Sequence, residues 1–296
     1  MSTINLGRVG LWTADFDLQP MAKAQDAIAQ VEAMGFGTVW VPEAVLREPF
    51  ASTSLLLAAT KKMILATGIA SIHARTAQTM QAGWKTVSEA FPNRFLLGMG
   101  VSHAPMVNGV HKGNYVKPYS TMVEYLDAMD AGIFFSPAPS APPQRVLAAL
   151  GPKMLKLAAE RCAGAHPYFV PVEHTAMARG VMGADALLAP EQGVVFETDP
   201  TKARAIARQH MNTYTRLPNY VNNLVRLGFD ADEVANQEDH VVDAIVAWGT
   251  TEQITSRLKA HLDAGADHVC VQVLTDAPGT LPMKQWQELA DATRSI

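Results

Sequence analysis

The feature that most constrains this chain is a rhythm: short, wholly apolar runs alternate with helix-length amphipathic segments from one end to the other. Val9–Trp12 opens the chain as a strand. Residues 20–34 then place Met21, Ala24, Ile28, Val31 and Met34 at spacings of three and four, which predicts a helix closed by Gly35. Thr38–Val41 and residues 63–69 and 94–100 read as strands two to four, with helices around 54–59, 77–90 and 118–130. Residues 145–150, 164–170 and 193–196 are the candidates for strands five to seven, and 267–274 for the eighth. Runs that are apolar at consecutive rather than alternate positions are strands buried on both faces, as in a parallel sheet covered by helices. Thr250-Thr251-Glu252-Gln253 offers a capping box, and Gly265 ends the helix that delivers strand eight. The expected fold is an α/β (β/α)8 TIM barrel.

Two stretches interrupt the rhythm. Residues 101–144 run from a polar loop through the 118–130 helix to a Pro-rich spacer at 136–143, a stiff return to strand five. Residues 199–248 hold more helix than one crossover needs, which predicts a helical insertion after strand seven. Both follow strand C-termini, the face where barrels build their sites. All 296 residues are expected to form one domain, since strand and helix alternate on both sides of the spacer.

Composition narrows the function classes. A net charge of −4 with no dense Lys/Arg stripe speaks against nucleic acid and anionic membrane as partners. No apolar run reaches the roughly eighteen residues of a membrane span, and no secretory signal opens the chain. Cys162 and Cys270 share no ligand spacing and suit a reducing cytoplasm as buried small hydrophobes. Leu11-Trp12-Thr13 and Gln272-Val273-Leu274 stand where a barrel zinc hydrolase needs its histidine pair and its aspartate, so no metal is expected.

The residues just past each strand are the candidates for chemistry: Glu43 after strand two, Ser71, His73 and Arg75 after strand three, Ser102 and His103 after strand four, Gly151, Pro152, Lys153 and Met154 after strand five, His166 and Tyr168 after strand six. His73, His103 and His166 follow different strands, and an imidazole titrates near neutrality, as proton transfer requires. Gly151-Pro152 starts a helix whose free N–H groups attract an anion, the favoured reading in a barrel, with a plain helix start as the alternative. Arg75 and Arg94 read as structural. Trp12 is as much a core plug as a ring neighbour.

Five segments in this order, GFGTVWVPEA, TGIASIHAR, FPNRFLLGMGVSHAP, ALGPKMLKLAAERCAGAHPYFVPVEHT and LLAPEQGVVFETDP, resemble the bacterial luciferase-like superfamily, and within it actinobacterial oxidoreductases that use coenzyme F420. The resemblance implies an enzyme that moves hydride between F420 and a small organic substrate, with an FMN-dependent monooxygenase as the alternative. A non-catalytic flavin-binding relative is the second alternative; it implies a barrel with strands missing or a filled mouth. A homodimer is also implied.

The resemblance further implies site residues. Ala70 and Ser71 match a bulge with a non-proline cis peptide behind the ring, although an ordinary strand end fits them as well. Gly100, Val101 and Ser102 match positions lining the ring. Leu150, Gly151, Pro152, Lys153 and Met154 match the seat of the phosphate-bearing tail. Glu43 matches an acidic ring contact, with an ion-pair role standing equally open. His103 falls where F420-dependent glucose-6-phosphate dehydrogenases carry a catalytic glutamate, and Ala44 where they carry a catalytic histidine. That departure disfavours glucose 6-phosphate as substrate. It leaves His103 first and His166 second as proton-handling candidates.

Overall fold

In a computed structural model, which describes residues 4–294 and 296, the chain is a parallel β-barrel ringed by helices. The strands are β1 (Val9–Trp12), β2 (Thr38–Val41), β3 (Ile64–Thr67), β4 (Ala70–Ser71), β5 (Phe95–Gly100), β6 (Gln144–Leu147), β7 (Gly164–Ala165), β8 (Leu187–Leu188), β9 (Glu191–Val195), β10 (Val246–Trp248) and β11 (Val269–Val273). The helices are α1 (Met21–Met34), α2 (Pro49–Ala58), α3 (Ala77–Ala90), α4 (Pro118–Asp130), α5 (Pro152–Arg161), α6 (Val172–Met182), α7 (Pro200–Tyr214), α8 (Pro218–Arg226), α9 (Ala231–Asn236), α10 (Asp239–Ile245), α11 (Thr251–Asp263) and α12 (Met283–Thr293).

Every strand pairing is parallel, in the order β10-β9-β11-β1-β2-β3-β5-β6-β7-β8. β8 and β9 are one strand interrupted at Ala189-Pro190. Its first part pairs with β7 and its second with β11, which closes the circuit. The expected seventh strand, 193–196, is therefore the end of a longer one. Strands five and six are shorter than their apolar runs, which continue as loop into the site. β10 was not expected. It follows α10 without a break and pairs with β9 at the end of the stretch assigned to the helical insertion.

Side-chain alternation sorts the strands into two cores. Trp40, Ala66, Leu96, Val146 and Cys270 point inward and fill the barrel with Trp12. Val39, Leu65, Leu97, Leu147 and Val271 point outward under the helices. Trp40 pairs with Ala66 in register, large against small, as packing a narrow interior requires. The helix signals appear as read: Ala24, Ile28 and Val31 are the buried face of α1, and Thr250 with Gln253 forms the capping box of α11. Helices α7 to α10 pack a third cluster around Tyr220, Leu224 and Val242, which roofs one side of the barrel mouth.

Candidate active site

A cavity of about 610 Å³ opens at the C-terminal ends of the strands, between the barrel mouth and helices α7 and α8. Its floor is Trp12 at the end of β1, Gly68 and Ile69 after β3, and His166 after β7. One side carries Val101, Ser102 and His103 from β5. Leu150, Gly151 and Met154, at the start of α5, form one end. Ser102 adopts a left-handed φ of 56°, an uncommon conformation for a residue with a side chain, as the chain leaves β5 at the cavity wall.

The bulge after β3 is present, but its cis peptide joins Gly68 to Ile69 rather than lying at Ala70–Ser71. Ala70 and Ser71 instead form β4, bury themselves against Met99 and Gly100, and do not line the cavity. Gly100 is also behind the wall. A β-carbon there would fall 2.8 Å from Ile69 Cδ1, so the bare backbone leaves room for the floor residue. At Gly68 a β-carbon would fall 2.6 Å from Trp12 Nε1 and 3.1 Å from His166 Nε2, so the floor is built around glycine. Pro152 and Lys153 form the exposed first turn of α5 beside the cavity, not its lining.

Glu43 lines the cavity, yet its carboxylate is already engaged. Oε2 accepts from the Ser71 amide at 2.7 Å and from Arg75 Nη1 at 2.8 Å, and Oε1 accepts from Arg75 Nη2. Glu43 thus forms the ion pair with Arg75 while still lining the cavity, and Arg75 has the structural role expected of it. Arg94 likewise spends its guanidinium on the carbonyls of Leu57 and Met63 and on Thr60 Oγ1.

Of the three histidines, His103 and His166 reach the cavity and His73 does not. His103 lies beside Asn219, with its ring centre 5.4 Å from that of Tyr220, and burial pushes its pKa below the usual imidazole range. His166 is fully buried, stacked on Trp40 at 4.3 Å, and donates from Nδ1 to the Ala189 carbonyl at 2.8 Å. That donation makes Nε2 the unprotonated nitrogen, and Nε2 has no partner. Burial lowers the His166 pKa to about 4. At neutral pH both imidazoles are thus neutral acceptors facing the cavity.

Two further contributions involve the helical insertion, one through Tyr168 after strand six and one from Arg226, which carried no local signal. Tyr168 bonds through its hydroxyl to Gln272 Oε1 at 2.8 Å and to the Tyr214 hydroxyl at 3.0 Å, tying the insertion to the strand ends. Arg226, at the end of α8, stands over the start of α5: a β-carbon on Gly151 would lie 3.9 Å from both its terminal nitrogens. Its side-chain partner is Asn223 Oδ1 at 3.1 Å, and among the described residues no carboxylate pairs with it. No side chain caps α5. Arg226 is exposed and has no carboxylate partner, so it and the uncapped amides of α5 can together attract an anion. The rest of the cavity, largely apolar and aromatic, has the breadth for a flat ring system.

The sequence profile of the luciferase-like monooxygenases matches residues 6–268. This chain belongs to that family. A Mycobacterium tuberculosis protein described as a coenzyme F420-dependent oxidoreductase is 26% identical over 192 residues, a stretch that spans 55% of each chain. The match therefore spans about half the length of that curated relative. Among solved structures, an F420-dependent secondary alcohol dehydrogenase bound to an F420–acetone adduct superposes with a TM-score of 0.74 at 16% identity, covering 96% of this chain and 97% of that one. The F420-dependent tetrahydromethanopterin reductase of Methanopyrus kandleri gives 0.68 at 15%, covering 95% and 96%. The FMN-bound oxygenating constituent of 3,6-diketocamphane monooxygenase from Pseudomonas putida gives 0.68 at 14%, with the same coverage. At these identities the superpositions establish the TIM-barrel fold that the sequence rhythm indicated.

Proposed function

We propose that this luciferase-like enzyme is an oxidoreductase that binds coenzyme F420 in the barrel mouth and exchanges a hydride with a small organic substrate. The observation that carries the reading is the polarity of the cavity. Its one strongly anion-seeking end, Gly151 with Arg226, adjoins a broad apolar floor at Gly68, Ile69 and Val101. A phosphate-bearing tricyclic cofactor matches both parts. Gly151 and Arg226 would hold its phosphate, and Gly68, Ile69, Val101 and Ser102 its ring. The deazaflavin supplies the hydride chemistry when bound.

The protein's own part is to orient the ring, exclude water and manage a proton. His103 is the first candidate for that proton. It sits at the cavity wall beside Asn219 and Tyr220, where burial favours its neutral form. His166, its Nε2 unpaired at the floor, is the second. Glu43 is already engaged by Arg75 and the Ser71 amide, which favours the histidines for the task. FMN is the alternative cofactor, because it shares the ring and phosphate and fills a barrel of this kind in the camphane monooxygenase component.

Quenching of cofactor fluorescence separates the cases. F420 is expected to titrate the protein more tightly than FMN, and tight FMN binding without F420 binding would reverse the assignment. Arg226→Ala is expected to weaken F420 roughly tenfold or more, the worth of one charge-assisted phosphate contact. Deazariboflavin, which has the ring and no phosphate, should bind the variant as it binds the parent. Equal losses for both would remove Arg226 from the phosphate site.

A further inference from the structure

His174 lies on α6, outside the cavity, and is completely buried. Its Nε2 donates to the carbonyl oxygen of Leu150 at 2.8 Å, while Nδ1 has no partner. Leu150 immediately precedes Gly151, the residue at the anion-seeking end of the cavity. The peptide joining them is trans, since the cis bond of the described chain is at Gly68–Ile69. In a trans peptide the C=O and the following N–H point in opposite directions from one plane. Fixing the Leu150 oxygen onto His174 therefore turns the Gly151 N–H away from α6. Among the described residues no protein acceptor meets that N–H.

We propose that His174 is a positioning residue: by anchoring the Leu150 carbonyl it sets the Gly151 amide as a fixed donor to an anion held against Arg226. The inference rests on the phosphate-tail reading above for the identity of the anion, not for the geometry. Two features support it. The anchor comes from behind, so it takes no space from the ligand. It is also chemically one-sided: the imidazole gives its N–H to the carbonyl and offers no second donor, so the peptide has one favoured orientation. Without the anchor the Leu150 carbonyl is buried without its bond, and rotation of the peptide would aim an oxygen instead of an N–H at the anion. The change would turn attraction into repulsion.

The test uses three variants of the full chain. His174→Gln places an amide N–H where Nε2 stood and keeps the bond; His174→Leu removes it at similar size; His174→Asn stays polar but ends short of Leu150. Dissociation constants are measured for F420 and for phosphate-free deazariboflavin, with thermal melts to verify folding. The Leu and Asn variants are expected to bind F420 about tenfold more weakly, with deazariboflavin unchanged, and the Gln variant to stay within about twofold of the parent. In parallel, the 15N-labelled protein is titrated with inorganic phosphate while the Gly151 amide resonance is followed. That resonance should move in the parent and the Gln variant and stand still in the Leu and Asn variants.

Phosphate that leaves the parent's Gly151 amide unmoved would overturn the inference, as would Leu and Asn variants that match the parent in both measurements. If the Leu variant does not fold, the Asn variant and the parent's amide response still decide. A parent that responds to phosphate at Gly151 yet binds neither F420 nor FMN leaves His174 in its role and overturns the cofactor assignment instead.

Discussion

Stability is expected to fall steeply as the pH drops from about 6.5 to 4.5, with the melting temperature declining fastest below pH 6. The cause is a set of buried neutral histidines. His166, His174 and His268 have pKa values lowered to about 4 and His261 to about 3, in each case chiefly by burial. Their bonds fit the neutral ring. His268 gives Nδ1–H to the Gly7 carbonyl and accepts from Trp40 Nε1 at 3.1 Å; His261 gives Nε2–H to Gln192 Oε1 and accepts from Thr175. A second proton would face a donor or a dry interior. The sign follows from linkage. Below an unfolded value near 6.5 the unfolded chain binds these protons and the native one does not, so stability present at pH 7 is lost as the pH falls toward the folded values. Each proton contributes about 1.4 kcal/mol per pH unit, and several together rival a total stability of about 5–15 kcal/mol. Glu191 works in the opposite sense. Burial raises its pKa to about 8, so its contribution favours the native state as the pH falls from 8 toward 4.5, and one group offsets only part of four. Melts across pH 4.5 to 8 measure the slope. Uptake of less than about one proton on unfolding at pH 5 would contradict the account.

These same histidines show how much of the molecule was legible in its sequence. The barrel was, because a strand buried on both faces must be apolar at every position and an amphipathic helix must be periodic. Residues 77–90 and 118–130 accordingly form helices with those bounds. Strand ends were legible as site positions for the same topological reason, and Val101, Ser102, His103, Leu150, Gly151, Met154 and His166 do meet around one cavity. What failed was register within a strand end. Ala70 and Ser71 looked like the bulge, whereas the chain bends two residues earlier, at Gly68, where the indole of Trp12 and the ring of His166 approach too closely for any side chain. A glycine ending an apolar run was the available signal for such an approach. Arg226 and Tyr220 had no signal at all. Both lie on a polar-faced helix of the insertion, and nothing local distinguishes an arginine that overhangs Gly151 from one in solvent. His174 was invisible for a related reason, since its role depends on a carbonyl and every residue has one. β10 is only three residues long and follows α10 directly, too short a run to stand out within the stretch assigned to a helical insertion.

Arg75→Met is expected to lower the melting temperature by roughly 6–12 °C, the equivalent of about 3–5 kcal/mol lost when one partner of a buried ion pair is removed. The Glu43 and Arg75 side chains are each 9% exposed, so the orphaned carboxylate would stay largely desolvated at the cavity edge. It would keep the Ser71 amide as a partner and lose both guanidinium bonds. Adding Glu43→Gln to Arg75→Met should restore most of the loss. A neutral amide oxygen still accepts from Ser71, and no charge is left buried. The cavity would register the same changes. Arg75 is itself held by Tyr125, whose hydroxyl donates to the Arg75 carbonyl at 2.9 Å, so the pair clamps residues 71–75 immediately after the Gly68–Ile69 floor. The single variant should therefore weaken both F420 and phosphate-free deazariboflavin, unlike Arg226→Ala, because a displaced floor affects the ring and not the phosphate. Three results would undo this account: a single variant that melts with the parent, a double variant no more stable than the single, or ring binding unchanged in both. Glu43 would then be a rim carboxylate after all, free to touch the ring.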